Sequence, residues 1–493
     1  MTTSAPDIAR IQEHQLYIDG RWAPASDGEL FDDFAPYGGE VMARVAAGTR
    51  ADAARAVDAA TRAFPDWAAA PPEAKQEIFL STAAIVERRR EDIRVLLAHE
   101  TGAGSTFAGF QVAWIVKLLR QAAGWVYLPT GEVIPSDMPG TMHMAIRRPL
   151  GVVAGFSPWN GAHLLAWRTI VSPIAFGNTV VLKPSEFAPV SAGLLLAEIL
   201  QEAGLPAGVL NVITHAPGAA SEIADEFFEN RAVRAINFTG STAVGRLLAE
   251  RAGHHLKRIV LELGGYNPLI VLRDADLDYA VNAAAFGAFM HQGQVCMNAR
   301  KVIIERDIVE PFLEKLKAKT DTIVVGDPSD PATIIGPLIT AAAVQQVGSD
   351  VQDAVDRGAR LVAGGSAVGS CYEPTVLTDV PPDAHIYREE TFGPVLVVEP
   401  VDGIEAAIRV ANDHHYGLAA GVITTSPDIG LAVAGQLESG MVRINDQTLN
   451  DEPQMPLGGV RDSGWGRAGP HSIEDFTQLQ WVSVQSGTRT FPF

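Results

Sequence analysis

Three short apolar runs, "GVVAGFS" at 151–157, "NTVVL" at 178–182 and "GVLNVI" at 208–213, alternate with the stretches "HLLAWRTIVSPIAFG" and "SAGLLLAEILQEAG". The runs read as strands buried on both faces, and the longer stretches between them carry helical spacing. Parallel strands cannot be joined by a tight hairpin, so this βαβαβ rhythm confines the region to a parallel sheet with helices on its faces. "AVRAINFTGSTAVGRLLAERA" supplies a further strand, a glycine-bearing turn and a helix start. After "KRIVLELGGYNPLIVL" the alternation restarts through "VIIE", "PFLEKLKAKT", "AAIRVAND" and "MVRIND", which predicts a second α/β unit.

A chain of 493 residues is too long for one core and calls for two or three folded units. Residues 50–123 read as helices up to a glycine stop, whereas 127–149 breaks into short β pieces with Pro and Gly turns, as an extruded hairpin would. The tail "FTQLQWVSVQS" reads as a late strand with no helix after it, of a kind that pairs across a subunit boundary or forms an ordinary edge.

The formal charge of −20 argues against nucleic acid and anionic lipid as partners, since both require basic patches. No run approaches the ~18 apolar residues of a membrane span. The opening "MTTSAPDIARIQEHQ" has no basic segment followed by an apolar core, so no secretory leader is expected. Without one, the "NFT" sequon at Asn237 carries no weight. Two cysteines, Cys296 and Cys371, make no disulfide framework and suit a reducing, cytoplasmic compartment. The paired histidines at 254–255 and 414–415 lack ligand spacing, so they read as surface residues and no metal site is expected.

Several motifs carry chemistry, each beside a plainer reading. "GWGRAG" at 464–469 matches a dinucleotide pattern but follows "VRDS" and precedes Pro470, so it lacks the strand–turn–helix context. "FTGSTAVG" at 238–245 has that context: backbone donors at a helix start suit a pyrophosphate, and equally describe a capped turn. "LKPSE" ends a strand with Lys183 and Glu186, placed to hold ribose hydroxyls or simply to face solvent. Asn160 in "SPWN" offers an amide to an oxyanion or serves a turn. Glu262, inside the apolar "LELGG", is a general base or a satisfied structural carboxylate. Cys296 in "GQVC" is a nucleophile or a small buried hydrophobe.

In this order, together with "EETFGPV" at 389–395, these motifs resemble the aldehyde dehydrogenase superfamily from about residue 15 to the terminal "WVSVQ". The resemblance implies an α/β fold: a Rossmann-type NAD-binding domain over 11–126 and 150–258, a catalytic domain over 259–445, and a small β oligomerisation element from 127–149 and 478–493. It implies Cys296 as nucleophile, Glu262 as base, and Asn160 with the Cys296 N–H as oxyanion donors. Trp159, Lys183, Ser185, Glu186, Gly240, Ser241, Glu390 and Phe392 would hold the cofactor, with Glu186 favouring NAD and Lys183 leaving NADP open. A homodimer or homotetramer acting on a small aldehyde is implied as well.

Three positions depart from common family residues: Arg168 where lysine is frequent, Ala468 where a glutamate often follows "SGxGR", and Tyr266, read as peripheral, in place of a frequent lysine. Arginine keeps the charge without titrating, and the missing glutamate leaves Glu262 more of the proton work. "TGEVIPSD", "GFSPWN", "HQGQVCM" and "MPLGGVRDSGWGR" look most like the benzaldehyde, vanillin and salicylaldehyde dehydrogenase branch. His163, Trp167, Val295 and Met297 would then line an aromatic-accepting pocket. The rivals are an aliphatic aldehyde or semialdehyde dehydrogenase, a CoA-acylating relative and a non-catalytic one. Glu262 argues against CoA acylation, and the retained Cys296, Glu262 and Asn160 against loss of catalysis.

Overall fold

The computed structural model describes residues 12–493, so the stretch read for a leader lies mostly outside the described residues, as does residue 11. An eight-stranded sheet has the order Gly464–Trp465, Arg258–Glu262, Val233–Thr239, Val152–Ser157, Thr179–Pro184, Leu210–Val212, Leu16–Ile18, Arg21–Ala23. The strands from Arg258–Glu262 to Leu210–Val212 run parallel. Antiparallel partners close both edges.

Strand Val152–Ser157 lies at the switch in this order. The chain leaves it on one side to Thr179–Pro184 and Leu210–Val212, then returns on the other to Val233–Thr239 and Arg258–Glu262. A crevice therefore opens outside the carboxyl ends of the central strands, where open α/β sheets take their ligands. "SPWN", "LKPSE", "FTGST" and Glu262 all fall at these ends. Helix Ala162–Ala175 is buried along most of its length against this sheet, with only the Arg168 position partly exposed.

The second sheet has seven strands in the order Arg360–Ala363, Thr375–Thr378, Val395–Val401, Lys301–Glu305, Leu269–Val271, Ala419–Ile423, Met441–Ile444. Its first pair is antiparallel and the rest are parallel. The expected division at 258/259 shifts here. Strand Arg258–Glu262 pairs along its whole length with Val233–Thr239, so Glu262 belongs to the first sheet. The two sheets part between Glu262 and Leu269, and Gly464–Trp465 returns to the first.

Strand Thr477–Gln485 pairs antiparallel with Thr141–Pro149 over nine residues, and Gly131–Ile134 completes a separate three-stranded sheet. The tail strand thus has its partner within the same chain. Among the described residues no helix is long and apolar enough to cross a membrane.

Candidate active site

Cys296 sits on a loop fixed by backbone geometry and by three amides. His291, Gln292 and Gly293 all adopt left-handed φ, at 50°, 55° and 70°. Two consecutive non-glycine residues in that region are costly unless their surroundings hold them. Gln292 supplies part of the hold by donating through Nε2 to the carbonyls of Gly102 at 2.8 Å and Pro337 at 3.0 Å. Gly293 is required as glycine, because a Cβ there would lie 2.0 Å from the Gly393 carbonyl oxygen. Beyond the thiol, Asn298 accepts from Val295 N–H at 2.8 Å, and Asn267 donates to the Cys296 carbonyl at 2.7 Å.

Asn160 follows strand Val152–Ser157, and its Nδ2 donates to the Gln294 carbonyl at 2.9 Å. A carboxamide nitrogen carries two hydrogens, so this bond orients the group and leaves a second donor. Asn160 and Cys296 line one cavity. Its walls are largely apolar, with Phe107, Phe110, Leu164, Leu165 and Leu449 joining Val295 and Met297.

The other two expected pocket residues lie elsewhere. His163 and Trp167 are fully buried on the opposite side of helix Ala162–Ala175 from Leu164, Leu165 and Arg168. Trp167 Nε1 donates to His163 Nε2 at 3.1 Å, and His163 Nδ1 lies 2.8 Å from the Ser191 carbonyl. The i, i+4 spacing that unites them is the reason they share the core-facing side. Burial holds the His163 imidazole down at about 4, so it is neutral.

Glu262 is buried at the end of its strand. Burial, partly countered by Arg168 and Arg467, pushes its carboxyl up to about 7, where it can both take and give a proton at neutral pH. It borders a second, small cavity with Asn237, Thr239 and Arg467. Arg168 lines both cavities and stands in the wall between them. Its guanidinium is hydrogen-bonded to the buried Asp451 and lies 5.0 Å from the Trp114 ring centroid. Ala468 borders the Glu262 cavity and offers no carboxylate. The thiol of Cys296 is pushed up to about 12, first by burial and then by the Glu262 and Glu390 carboxylates, so it rests protonated.

The crevice residues fit a dinucleotide. Ser241 caps helix Thr242–His254, whose first N–H groups face outward after Gly240. Lys183 and Ser185 are buried at the end of strand Thr179–Pro184 beside the more open Glu186. Trp159 meets Phe392 edge to face at 5.6 Å. Among the described residues the buried Oε1 of Glu390 has no hydrogen-bond partner, and the Arg300 guanidinium lies 3.5 Å away as an ion-pair partner. An orphaned carboxylate oxygen in such a crevice suits a ribose hydroxyl. Gly264 leaves room for Glu390, since a Cβ would come within 2.4 Å of its Oε2.

Two further expectations need correction. Tyr266 is not peripheral: it is buried, and its hydroxyl donates to the carbonyls of Tyr387 at 2.6 Å and Ile386 at 3.0 Å, just before Glu390. His414 is half-buried: its ring packs 5.2 Å from that of Tyr266, and among the described residues neither of its buried nitrogens has a hydrogen-bond partner. His254 and His255 are exposed. Asn237 is buried and donates to the Thr169 carbonyl at 2.9 Å, so the sequon is inaccessible. Cys371 is a buried thiol, raised to about 11 by burial. "GWGRAG" begins as the short edge strand Gly464–Trp465 and turns into a 3₁₀ segment. Among the described residues no cluster of three metal-ligating side chains occurs.

Sequence reasoning missed Phe107, Phe110 and Asp451. The two phenylalanines sit at i, i+3 on helix Ser105–Trp125, an aromatic stripe that is legible as a face but not as a pocket wall. Asp451 lies in an irregular segment with no local motif.

The aldehyde dehydrogenase family model matches residues 22–482. The chain is 46% identical over 478 residues to vanillin dehydrogenase of Pseudomonas fluorescens, covering 97% of this chain and 99% of that protein. It is 41% identical over 478 residues to an NAD(+) benzaldehyde dehydrogenase of Pseudomonas putida, covering 97% of each. The crystal structure of a salicylaldehyde dehydrogenase from Pseudomonas putida G7, complexed with salicylaldehyde, superposes with a TM-score of 0.96 at 40% identity, over 98% of this chain and 100% of that one. Matched by that family model over residues 22–482 and by these relatives over nearly its whole length, the chain belongs to the aldehyde dehydrogenase family.

Proposed function

We propose that the protein oxidises an aromatic aldehyde to its carboxylic acid, with NAD as the hydride acceptor. The observation that carries this reading is the cavity at Cys296, walled by two phenylalanines and branched apolar side chains, with Asn160 as a polar donor beside the thiol. Relatives named for vanillin, salicylaldehyde and benzaldehyde support the aromatic class.

In the first step the Cys296 thiol gives up its proton to solvent, the sulfur bonds to the aldehyde carbon, and the carbonyl electron pair moves to oxygen. The free Nδ2–H of Asn160 and the backbone N–H of Cys296 donate to that oxyanion. Bound nicotinamide supplies a hydride acceptor and a positive charge. Once the hydride has left the carbon, the oxyanion's electron pair re-forms the carbonyl as a thioester on Cys296. Glu262 then takes a proton from water as the water attacks it, the carbon–sulfur bond breaks with its pair on sulfur, and the acid departs. The small cavity that Glu262 borders with Asn237, Thr239 and Arg467 suits this water and its proton. Arg168 holds its charge throughout and does not relay.

Residues 127–149 and 478–493 are read as the contact for a homodimer or homotetramer. Val133 at 70% and Trp481 at 75% exposure leave that sheet with apolar surface to cover. Unpaired Cys296 and Cys371 suit the cytoplasm.

The test is kcat/KM from NADH formation with benzaldehyde, vanillin, salicylaldehyde, a medium-chain alkanal and a short semialdehyde. Preference for the aromatic members supports the reading, and preference for the alkanal or semialdehyde overturns the aromatic assignment.

A further inference from the structure

Lys183 is buried at the carboxyl end of strand Thr179–Pro184, yet among the described residues its ammonium makes no ion pair. Its close partner is an imidazole: Nζ lies 2.6 Å from Nε2 of His215, with the Pro184 carbonyl a distant second at 3.4 Å. The other ring nitrogen of His215, Nδ1, lies 2.9 Å from the Ala216 carbonyl. A carbonyl only accepts, so Nδ1 carries the hydrogen, Nε2 presents its lone pair to the ammonium, and the ring is neutral. Burial and the Lys183 charge hold His215 in that neutral form.

The identity of this acceptor matters. A carboxylate at position 215 would orient the ammonium and also cancel its charge. Neutral imidazole orients it without cancelling its charge, although burial lowers the ammonium to about 8. The buried cation thus lacks the counter-charge that such groups normally require. Glu186 does not supply it directly, because its Oε2 sits 3.9 Å from Nε2 of the intervening His215. Against an additional phosphate stands Glu186, which lines a cavity with Asp32 and Asp33, Asp32 being paired with Arg44 at 3.5 Å.

We propose that His215 is a positioning residue that sets the choice between NAD and NADP, holding Lys183 un-neutralised beside Glu186 so that the crevice takes a 2′-phosphate as well as a free ribose diol. This rests on the dinucleotide reading of the crevice and extends it to a residue outside the motifs that carried it. A ribose hydroxyl needs a hydrogen bond from Lys183, whereas a 2′-phosphate needs its charge.

The test is calorimetric binding of ADP-ribose and 2′-phospho-ADP-ribose, which report on the crevice without turnover. Wild type is expected to bind the two within about tenfold of each other. H215Q, which keeps a neutral acceptor, should preserve that ratio. H215E should weaken the phosphorylated ligand by about tenfold more than ADP-ribose. H215L, which frees Lys183 to pair with Glu186, should move the ratio the same way and serves if H215E does not fold. An unchanged ratio in H215E or H215L with ADP-ribose still bound would overturn the proposal, as would a wild type that binds the phosphorylated ligand more than about a hundredfold weaker. Wild type that binds neither fragment would instead overturn the dinucleotide reading itself.

Discussion

Asn160 grips the loop that it serves: its Nδ2 donates to the carbonyl of Gln294 at 2.9 Å, two residues before Cys296. One amide therefore positions the nucleophile and keeps a second N–H for the oxyanion. Asn160→Ala is expected to lower kcat by about 10²–10³. The lost loop anchor should also cost about 1 kcal/mol of stability. Steady-state kinetics and thermal melting measure the two effects separately. A drop in melting temperature with kcat unchanged would reduce Asn160 to a structural tether.

The Cys296 thiol, held up at about 12 by burial and by the Glu262 and Glu390 carboxylates, should be slow to alkylate in cofactor-free enzyme, with a rate still rising at the alkaline end of the accessible range. Removing a neighbouring negative charge favours the thiolate, so Glu262→Gln should move the alkylation profile to lower pH. Iodoacetamide labelling of Cys296 against pH reads this, and a profile unmoved by Glu262→Gln would contradict the coupling.

Glu262 also makes a stability prediction with a definite sign. Its carboxyl titrates at about 7 in the folded chain, above the ordinary value of 4.5, so between those values the folded state binds more protons than the unfolded one. Stability therefore falls as pH rises through that window, and its contribution is gone above the folded value. Glu262→Gln should melt higher than wild type above neutrality, by on the order of 2–3 kcal/mol at most, with the gap closing on acidification. Melting curves across pH decide it. A gap that widens on acidification would contradict a buried, raised carboxyl.

Arg168 and Asp451 form a pair with side chains only 9% and 4% exposed. Arg168→Met leaves the buried Asp451 carboxylate with Arg443 as its remaining cation and should cost up to about 3–5 kcal/mol, whereas Arg168→Met with Asp451→Leu should recover most of it. Arg168 also holds the Glu262 carboxyl down, so any active Arg168→Met enzyme should show the acid limb of its pH–rate profile moved to higher pH. A double variant no more stable than the single one would contradict the pairing.

Much of the parallel sheet was legible because its strands are short, doubly apolar and punctuated by helices, as in "NTVVL" at 178–182. The local motifs alone left Cys296, Asn160 and Glu262 open between chemical and structural readings; their joint order and the resemblance it carries singled them out, and each lies at the end of a strand or in a loop. What was not legible depends on which face a side chain takes. His163 and Trp167 are neighbours in sequence of Leu164 and Arg168, yet the turn between adjacent helical positions takes them away from the cavity that Leu164 and Arg168 line. Sheet membership was hidden as well. "LELGG" precedes the second sheet in sequence, but register with Val233–Thr239 places Glu262 in the first. Asp451 reaches its site by a long-range contact that no local pattern encodes.

The most direct test of covalent chemistry at Cys296 is a single turnover of Glu262→Gln with benzaldehyde and NAD, quenched in acid and mapped by peptide mass spectrometry. The expected result is a burst of NADH close to one per site with a benzoyl group on the peptide that carries Cys296, released slowly because the base is missing. A full burst with Cys296 unmodified, or the acyl group on another residue, would contradict it.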